Sequence, residues 1–172
     1  MLHNNRGMEV NDKERHPIYV ENTELVLPPD TNHHGTVFGG RVLQWIDITA
    51  AIAAQRYSGR RVVTASIDEM HFIVPIQLGN VVTLKACVNG VHRTSMEIGV
   101  RIEREDVLEN LKEHAATAYL TFVALDDDMK PTPVPKLIPN TTVEKRRADE
   151  AKLRRQSRLT HRERLLKRRQ EA

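Results

Sequence analysis

Residues 40–57 read as one helix that is apolar on nearly every side, because Val42, Leu43, Trp45, Ile46, Ile48, Ala50, Ala51, Ile52, Ala53 and Ala54 leave it almost no polar face. A surface helix needs only an apolar stripe, so a helix of this kind is one surrounded by protein. Ser58-Gly59 supplies its C-terminal stop. What surrounds it follows in the chain. After residue 60 the apolar period changes to two. Val63, Ala65 and Ile67 share one strand face, and then the parity flips to Met70, Phe72 and Val74. That flip predicts a β-bulge near Asp68-Glu69. Pro75 ends the strand, and Leu78-Gly79-Asn80 turns the chain. Val82, Leu84, Ala86 and Val88 alternate through the next strand, and Met96, Ile98, Val100 and Ile102 through the one after a turn at 90–94. A charged link at 103–113 leads to a last strand over 115–125. A further strand over 19–27 precedes the helix and is stopped by Pro28-Pro29. Short turns join antiparallel neighbours, so the expected class is α+β: an antiparallel sheet curled around one long helix. An open sheet keeps edges, and pairing two copies covers one, so a dimer at least is expected.

The charge divides the chain. Residues 143–172 carry 12 Lys+Arg against 5 Asp+Glu, or +7, which leaves 14 basic and 18 acidic residues, or −4, for 1–142. The expected organisation is a disordered, polar 1–15, one domain over 16–140, and a basic helical tail over 141–172. The tail has no aromatic side chain on which a base could stack, which argues against nucleic acid and for a solvated or partner-packed helix, with acidic phosphate ligands as the second option. There is no apolar run of membrane-spanning length and no apolar leader. Cys87 is the single cysteine, so no intrachain disulfide is possible, and a cytoplasmic protein fits. Cys87 lies on the strand face opposite Val82, Leu84, Ala86 and Val88, and reads as a buried or interface thiol rather than a nucleophile.

One carboxylate, Asp47, interrupts the apolar helix. Burying it costs several kcal/mol or more unless it is paired. Asp47 follows Gly40 by seven positions, close to two turns, so both lie on one face with Gln44 between them. The amides around Gly39 to Val42 lack intrahelical acceptors and carry the positive end of the helix dipole. Glycine there admits close approach, and an electrophilic carbonyl docked at those amides would gain oxyanion stabilisation. A carboxylate further along serves as general base or nucleophile. Pairing with a basic side chain in a subunit interface is the other reading, and pattern leaves both open. Asn32 orients a water or a carbonyl, or closes a turn through its own side chain. His33-His34 has no second ligand cluster, so no metal site is expected. Arg93-Thr94-Ser95 at a strand turn is either a phosphate clamp or a solvated turn. The sequence has no Gly-x-Ser-x-Gly, no P-loop and no Gly-x-Gly-x-x-Gly.

Residues 28–47, Pro-Pro-Asp-Thr-Asn-His-His-Gly-Thr-Val-Phe-Gly-Gly-Arg-Val-Leu-Gln-Trp-Ile-Asp, resemble the acyl-coenzyme A thioesterases of the hotdog fold, in particular their cytosolic branch. Val62-Val63-Thr64-Ala65-Ser66, Phe72-Ile73-Val74-Pro75-Ile76, Arg93-Thr94-Ser95-Met96 and residues 120–126 are similar to the same family, in order, across 20–140. The resemblance implies a long helix wrapped by an antiparallel sheet, working as a dimer and often as a trimer of dimers, with active sites between subunits. It implies that the family's acidic residue falls on Asp47 and its asparagine on Asn32 of the opposite subunit. Gly39 and Gly40 match the thioester-carbonyl site, and Arg93, Thr94 and Ser95 the part that holds the phosphates of coenzyme A. His92 stands where members often have glycine. The implied activity is hydrolysis of acyl-CoA to free fatty acid and coenzyme A, with Asp47 activating water. No metal or redox cofactor is implied, coenzyme A being part of the substrate. The expected partners are acyl-CoA and further copies of the chain, with no membrane and no nucleic acid. A hotdog module that senses acyl-CoA without cleaving it would share the fold. The joint presence of Asp47 and Asn32 favours the enzyme.

Overall fold

A computed structural model describes residues 14–68 and 70–170. The elements run β1 (Tyr19–Leu25), α1 (Gly39–Ser58), β2 (Arg61–Ile67), β3 (His71–Phe72), β4 (Val81–Val91), β5 (Ser95–Asp106), β6 (Leu111–Leu125) and α2 (Thr142–Gln170). Six strands form one antiparallel sheet in the order β1-β4-β5-β6-β2, with β3 also on β6. The three long strands β4, β5 and β6 follow one another through short turns and make its centre. This is the expected α+β arrangement of a sheet and one long helix. The disorder expected over 1–15 falls outside the described residues except at Glu14 and Arg15. Arg15 is tied down: its amide donates to Lys136 and its guanidinium to the Tyr57 carbonyl at 2.6 Å.

α1 lies on the inner face of the sheet. Val42, Trp45, Ile46, Ala50, Ala53, Ala54 and Tyr57 are buried there against Leu84, Ile98, Leu120 and Phe122. Each large side chain so buried contributes about 1.5–3 kcal/mol. Gly59, left-handed at φ 65°, ends the helix by donating to the Gln55 carbonyl. The structure corrects the sequence reading in four places. The helix is not enclosed: Gln44 and Ile48 are exposed and Asp47 is half-buried, because the sheet of one chain covers one side only. On β2 the inward residues are Val62 and Thr64, whereas Val63 is outward and 43% exposed, and Ile67, opposite Leu120 after a register shift, is 45% exposed. The bulge lies between Thr64 and Ser66 rather than near Asp68-Glu69, of which Glu69 is outside the described residues. The parity flip instead reflects a strand break, since β2 ends at Ile67 and β3 resumes pairing farther along β6.

The tail is not solvated throughout. α2 docks on the outer face of its own sheet. Thr141 and Glu144 form a reciprocal cap: the Glu144 carboxylate accepts from the amides of Asn140 and Thr141, and the Thr141 hydroxyl accepts from that of Glu144. Ala151 is the one buried residue of α2. It sits over Gly90 of β4, where an added Cβ would come within 2.9 Å of the alanine's Cβ. Arg154 and Arg158 then reach down to Glu97 of β5, at 2.7 Å and 3.1 Å, and Arg158 also to Asp68 at 2.6 Å. From Leu159 to Gln170 every residue is exposed.

Candidate active site

The loop ahead of α1 is anchored by Asp30. Its buried carboxylate accepts from Arg41 Nε at 2.7 Å and from the Leu27 amide at 3.0 Å, and its carbonyl accepts from the Phe38 amide at 2.9 Å. Asp30 is thus a buried carboxylate paired with a basic side chain of its own chain. Within the loop, Thr31 bridges Val37, and Gly35 turns the chain at φ 76°. Asn32 closes that turn: its Oδ1 accepts from the His34 amide at 2.9 Å, and its Nδ2 donates to Thr36 Oγ1 at 2.9 Å. Asn32 thus takes the turn-closing role within its own chain, and the same bonds hold its amide rigidly beside the start of α1. His33 and His34 are exposed beside it with ring centroids 3.7 Å apart.

α1 begins without a cap, because Phe38 precedes it and has no side-chain oxygen. The Arg41 and Val42 amides bond to the Phe38 carbonyl. The Gly39 and Gly40 amides find no acceptor among the described residues, and both glycines are exposed. Around Gly40 an added Cβ would meet nothing within 4 Å. An added Cβ at Gly39 would lie 3.7 Å from the Phe72 ring, so two unpaired donors stand at the positive end of a helix, with open space beside Gly40 and an aromatic ring beside Gly39.

Asp47 lies two turns along. Thr64 Oγ1 donates to its Oδ1 at 2.7 Å, and no hydrogen bond among the described residues engages its Oδ2. One oxygen is held and the other is open, which suits a carboxylate that must take a proton from water. Thr64 has no role in the sequence reading. Its signal was the shared parity with Val62, masked by the more apolar alternating set of Val63, Ala65 and Ile67. Gly40 and Asp47 share a face, but at 1.5 Å per residue they stand about 10 Å apart along the axis.

Arg93, Thr94 and Ser95 form the β4–β5 turn, closed by the His92 amide on the Ser95 carbonyl at 2.8 Å. No residue of it is left-handed, so histidine fits where glycine was the family's habit. Arg93 is exposed and makes no ion pair among the described residues. Burial, with Arg155 and Arg158 adding to it, pushes the His92 imidazole below its usual range. A cavity of about 870 Å³ bordered by Arg93, Lys136 and Lys152 lies on one side of this turn. A second, of about 630 Å³, lies on the other, between Ser95 and α2. Cys87 is buried under α2, and burial raises its thiol's pKa, which keeps it a poor nucleophile. No helix among the described residues is long and apolar enough to cross a membrane.

The chain is similar to known proteins over most of its length. The thioesterase superfamily model matches residues 34–111. The uncharacterized acyl-CoA thioester hydrolase YkhA of Bacillus subtilis is 44% identical over 125 residues, covering 73% of each chain. The cytosolic acyl coenzyme A thioester hydrolase of Rattus norvegicus is 39% identical over 130 residues, 74% of this chain but only 34% of that one. An acyl-CoA hydrolase from Staphylococcus aureus, solved with butyryl coenzyme A and coenzyme A, superposes with a TM-score of 0.79 at 39% identity, covering 90% of this chain and 97% of that one. Solved variants of it replace an asparagine, an aspartate and a threonine by alanine, at spacings of 15 and 17 residues. A hexameric acyl-CoA thioesterase superposes with a TM-score of 0.80 at 41% identity, covering 83% of this chain and 92% of that one.

Proposed function

Because the chain belongs to the hotdog-fold acyl-coenzyme A thioester hydrolases of the thioesterase superfamily, we propose that it cleaves acyl-CoA to free acid and coenzyme A at a site assembled from two subunits. The observation that carries the shared site is the spacing along α1. Oxyanion donors must sit about 3 Å from the carbonyl oxygen, and the base must reach the attacking water over a similar distance. The Gly39 and Gly40 amides and Asp47 of one helix are about 10 Å apart, too far to serve one carbonyl. Asn32, fixed beside the helix start, goes with the amides. Asp47 goes with Thr64. Each site then takes Asn32, Gly39 and Gly40 from one subunit and Asp47 and Thr64 from the other.

In that arrangement the thioester oxygen accepts from the Gly39 and Gly40 amides, and Asn32 helps to place the water. Asp47 Oδ2 takes the water's proton as the oxygen attacks the carbonyl carbon. The tetrahedral intermediate expels the coenzyme A sulfur, which leaves with that proton, and Asp47 is ionised again. Thr64 keeps Oδ1 in place throughout. The spacings of the alanine variants in the Staphylococcus aureus enzyme equal those of Asn32, Asp47 and Thr64 here, which supports this set. Its coenzyme A complexes support coenzyme A as the carried group, and the exposed Arg93, without an ion pair among the described residues and beside Thr94 and Ser95, supports this turn as part of a phosphate site. The hexameric relative supports a trimer of dimers, and the cytosolic one a cytoplasmic place.

Mixing tests the shared site. Asp47→Asn and Asn32→Ala proteins are each nearly inactive in thiol release from acyl-CoA. After subunit exchange, half the dimers are mixed and one site in each is intact, so about a quarter of wild-type activity returns. Exchange that restores nothing places both residues in one chain's site and overturns the reading.

A further inference from the structure

We propose that α2, which lies outside the sheet-and-helix core, binds the phosphate end of the substrate: Arg155 and Arg162 take phosphate groups of coenzyme A in the cavity beside Ser95. The proposal rests on the reading of the chain as an acyl-CoA hydrolase.

The cavity is about 630 Å³ and lies between α2 and the outer face of the sheet. Ser66, Ser95 and Thr121 face it from three strands, and Arg155, Arg158 and Arg162 from the helix. Arg155 and Arg162 are seven residues apart, so they share one face of α2. The carboxylates there are already engaged. Glu97 gives one oxygen to Arg154 and the other to Arg158, and Asp68 also binds Arg158. Neither Arg155 nor Arg162 makes an ion pair among the described residues. Two uncompensated guanidiniums on a docked helix, facing hydroxyls, form a site for an oxyanion and suit phosphate above other groups. Thr121 Oγ1 is buried with no hydrogen-bond partner among the described residues, a hydroxyl left for a ligand to engage. Arg155 and Arg158 also add to the lowering of the His92 pKa, as a positive local field requires.

The bulge in β2 joins this cavity to the chemistry. Residues two apart on a regular strand face the same side. Thr64 bonds Asp47 on the inner face, whereas Ser66, beyond the register shift, lines the outer cavity. One strand edge therefore touches the thioester end and the phosphate end. The flexible pantetheine arm of coenzyme A has this edge to run along.

The test is steady-state kinetics of the Arg155→Gln/Arg162→Gln double variant on an acyl-CoA and on the matching acyl-pantetheine, which has the thioester and no phosphate. The expected result is a KM for acyl-CoA raised about 10- to 100-fold with kcat within about twofold, from the loss of charge-assisted bonds. Acyl-pantetheine kinetics stay unchanged, and the salt dependence of acyl-CoA KM shrinks. Arg155→Lys/Arg162→Lys restores most of the affinity, and Lys167→Gln/Arg168→Gln, of equal charge change at the exposed end of α2, has no effect. Wild-type turnover of acyl-CoA with an unchanged KM in the double variant overturns this proposal and leaves the hydrolase reading standing. Absence of wild-type turnover overturns that reading itself. Equal losses on both substrates mean that the arginines only hold the fold, and loss of duplex DNA binding without a change in KM means a nucleic-acid surface; either overturns the proposal.

Discussion

The two helices cover opposite faces of one sheet and are held there by different forces. α1 buries nine residues, most of them apolar, against the sheet. α2, nine residues longer, buries one alanine. It is held by Arg154 and Arg158 on Glu97 and Asp68, and by the Arg154 guanidinium 3.6 Å above the Tyr119 ring. Hydrophobic burial is nearly indifferent to moderate salt and to pH, whereas partly exposed ion pairs respond to both. The face that must hold a carboxylate and two amides in fixed positions is built by the first means. The face that meets a charged group is built by the second, at the cost of stiffness. The contrast extends to carboxylates. Asp30 and Glu97 are buried and paired with arginines, and Asp47 is half-buried and, among the described residues, held by a hydroxyl alone.

The largest effect expected on either face is at Asp47. Asp47→Asn should lower kcat for thiol release by about 10²- to 10⁴-fold while the unfolding midpoint stays put. Full activity in that variant would remove the chemistry from the inner face and end the division of labour. Next comes the apolar attachment of α1. Ile46→Ala empties fully buried space and should cost about 2–5 kcal/mol in denaturant unfolding, with no dependence on salt. Glu97→Gln should cost less, about 1–3 kcal/mol, because both arginines that it holds are partly exposed. Its signature is local: hydrogen exchange rises along α2 and not along α1, and 1 M salt has the same effect on the wild type. A rise shared by both helices would show that the sheet couples them and that the contrast drawn above is false.

The smallest effect lies at the start of α2. The backbone amide of Thr141, then the Tyr19 hydroxyl and the Asn140 amide, hold the Glu144 carboxyl down to about 2 from 4.5. A carboxylate with a depressed folded pKa stabilises above its unfolded value, and this contribution is lost as pH falls from 4.5 towards 2. Amide exchange at 141–145 should therefore rise near pH 3 while the buried turns of α1 stay protected. Equal protection at pH 3 and pH 6 would mean that the cap does not hold α2.

How legible each region was follows from the same physics. Ten apolar residues in one helical run announced α1, and alternation announced β4, β5 and β6, because burial on one face leaves a period. β2 misled because it is an edge with a register shift: Val63 is turned outward, Ile67 falls opposite the buried Leu120 only after the shift and stays exposed, and this concealed Thr64. Asp30 was hidden because its partner Arg41 lies 11 positions away, across a loop with no period. The docking of α2 left the faintest trace. Its contacts are arginines, which look like solvent-facing residues, and their acceptor Glu97 reads as the outward position of an ordinary strand. Paired charges leave no periodic signal.

Gly90 separates the two layers in a way that a geneticist could use. The outer helix rests on β4 only because one carbon atom is missing from that position. A valine there is a wedge under 29 residues of helix, remote from Asn32, Asp47 and Thr64. It would give a chain of unchanged length and charge in which the outer layer is lifted and the inner one is left alone, so that what each contributes in a living cell can be read separately.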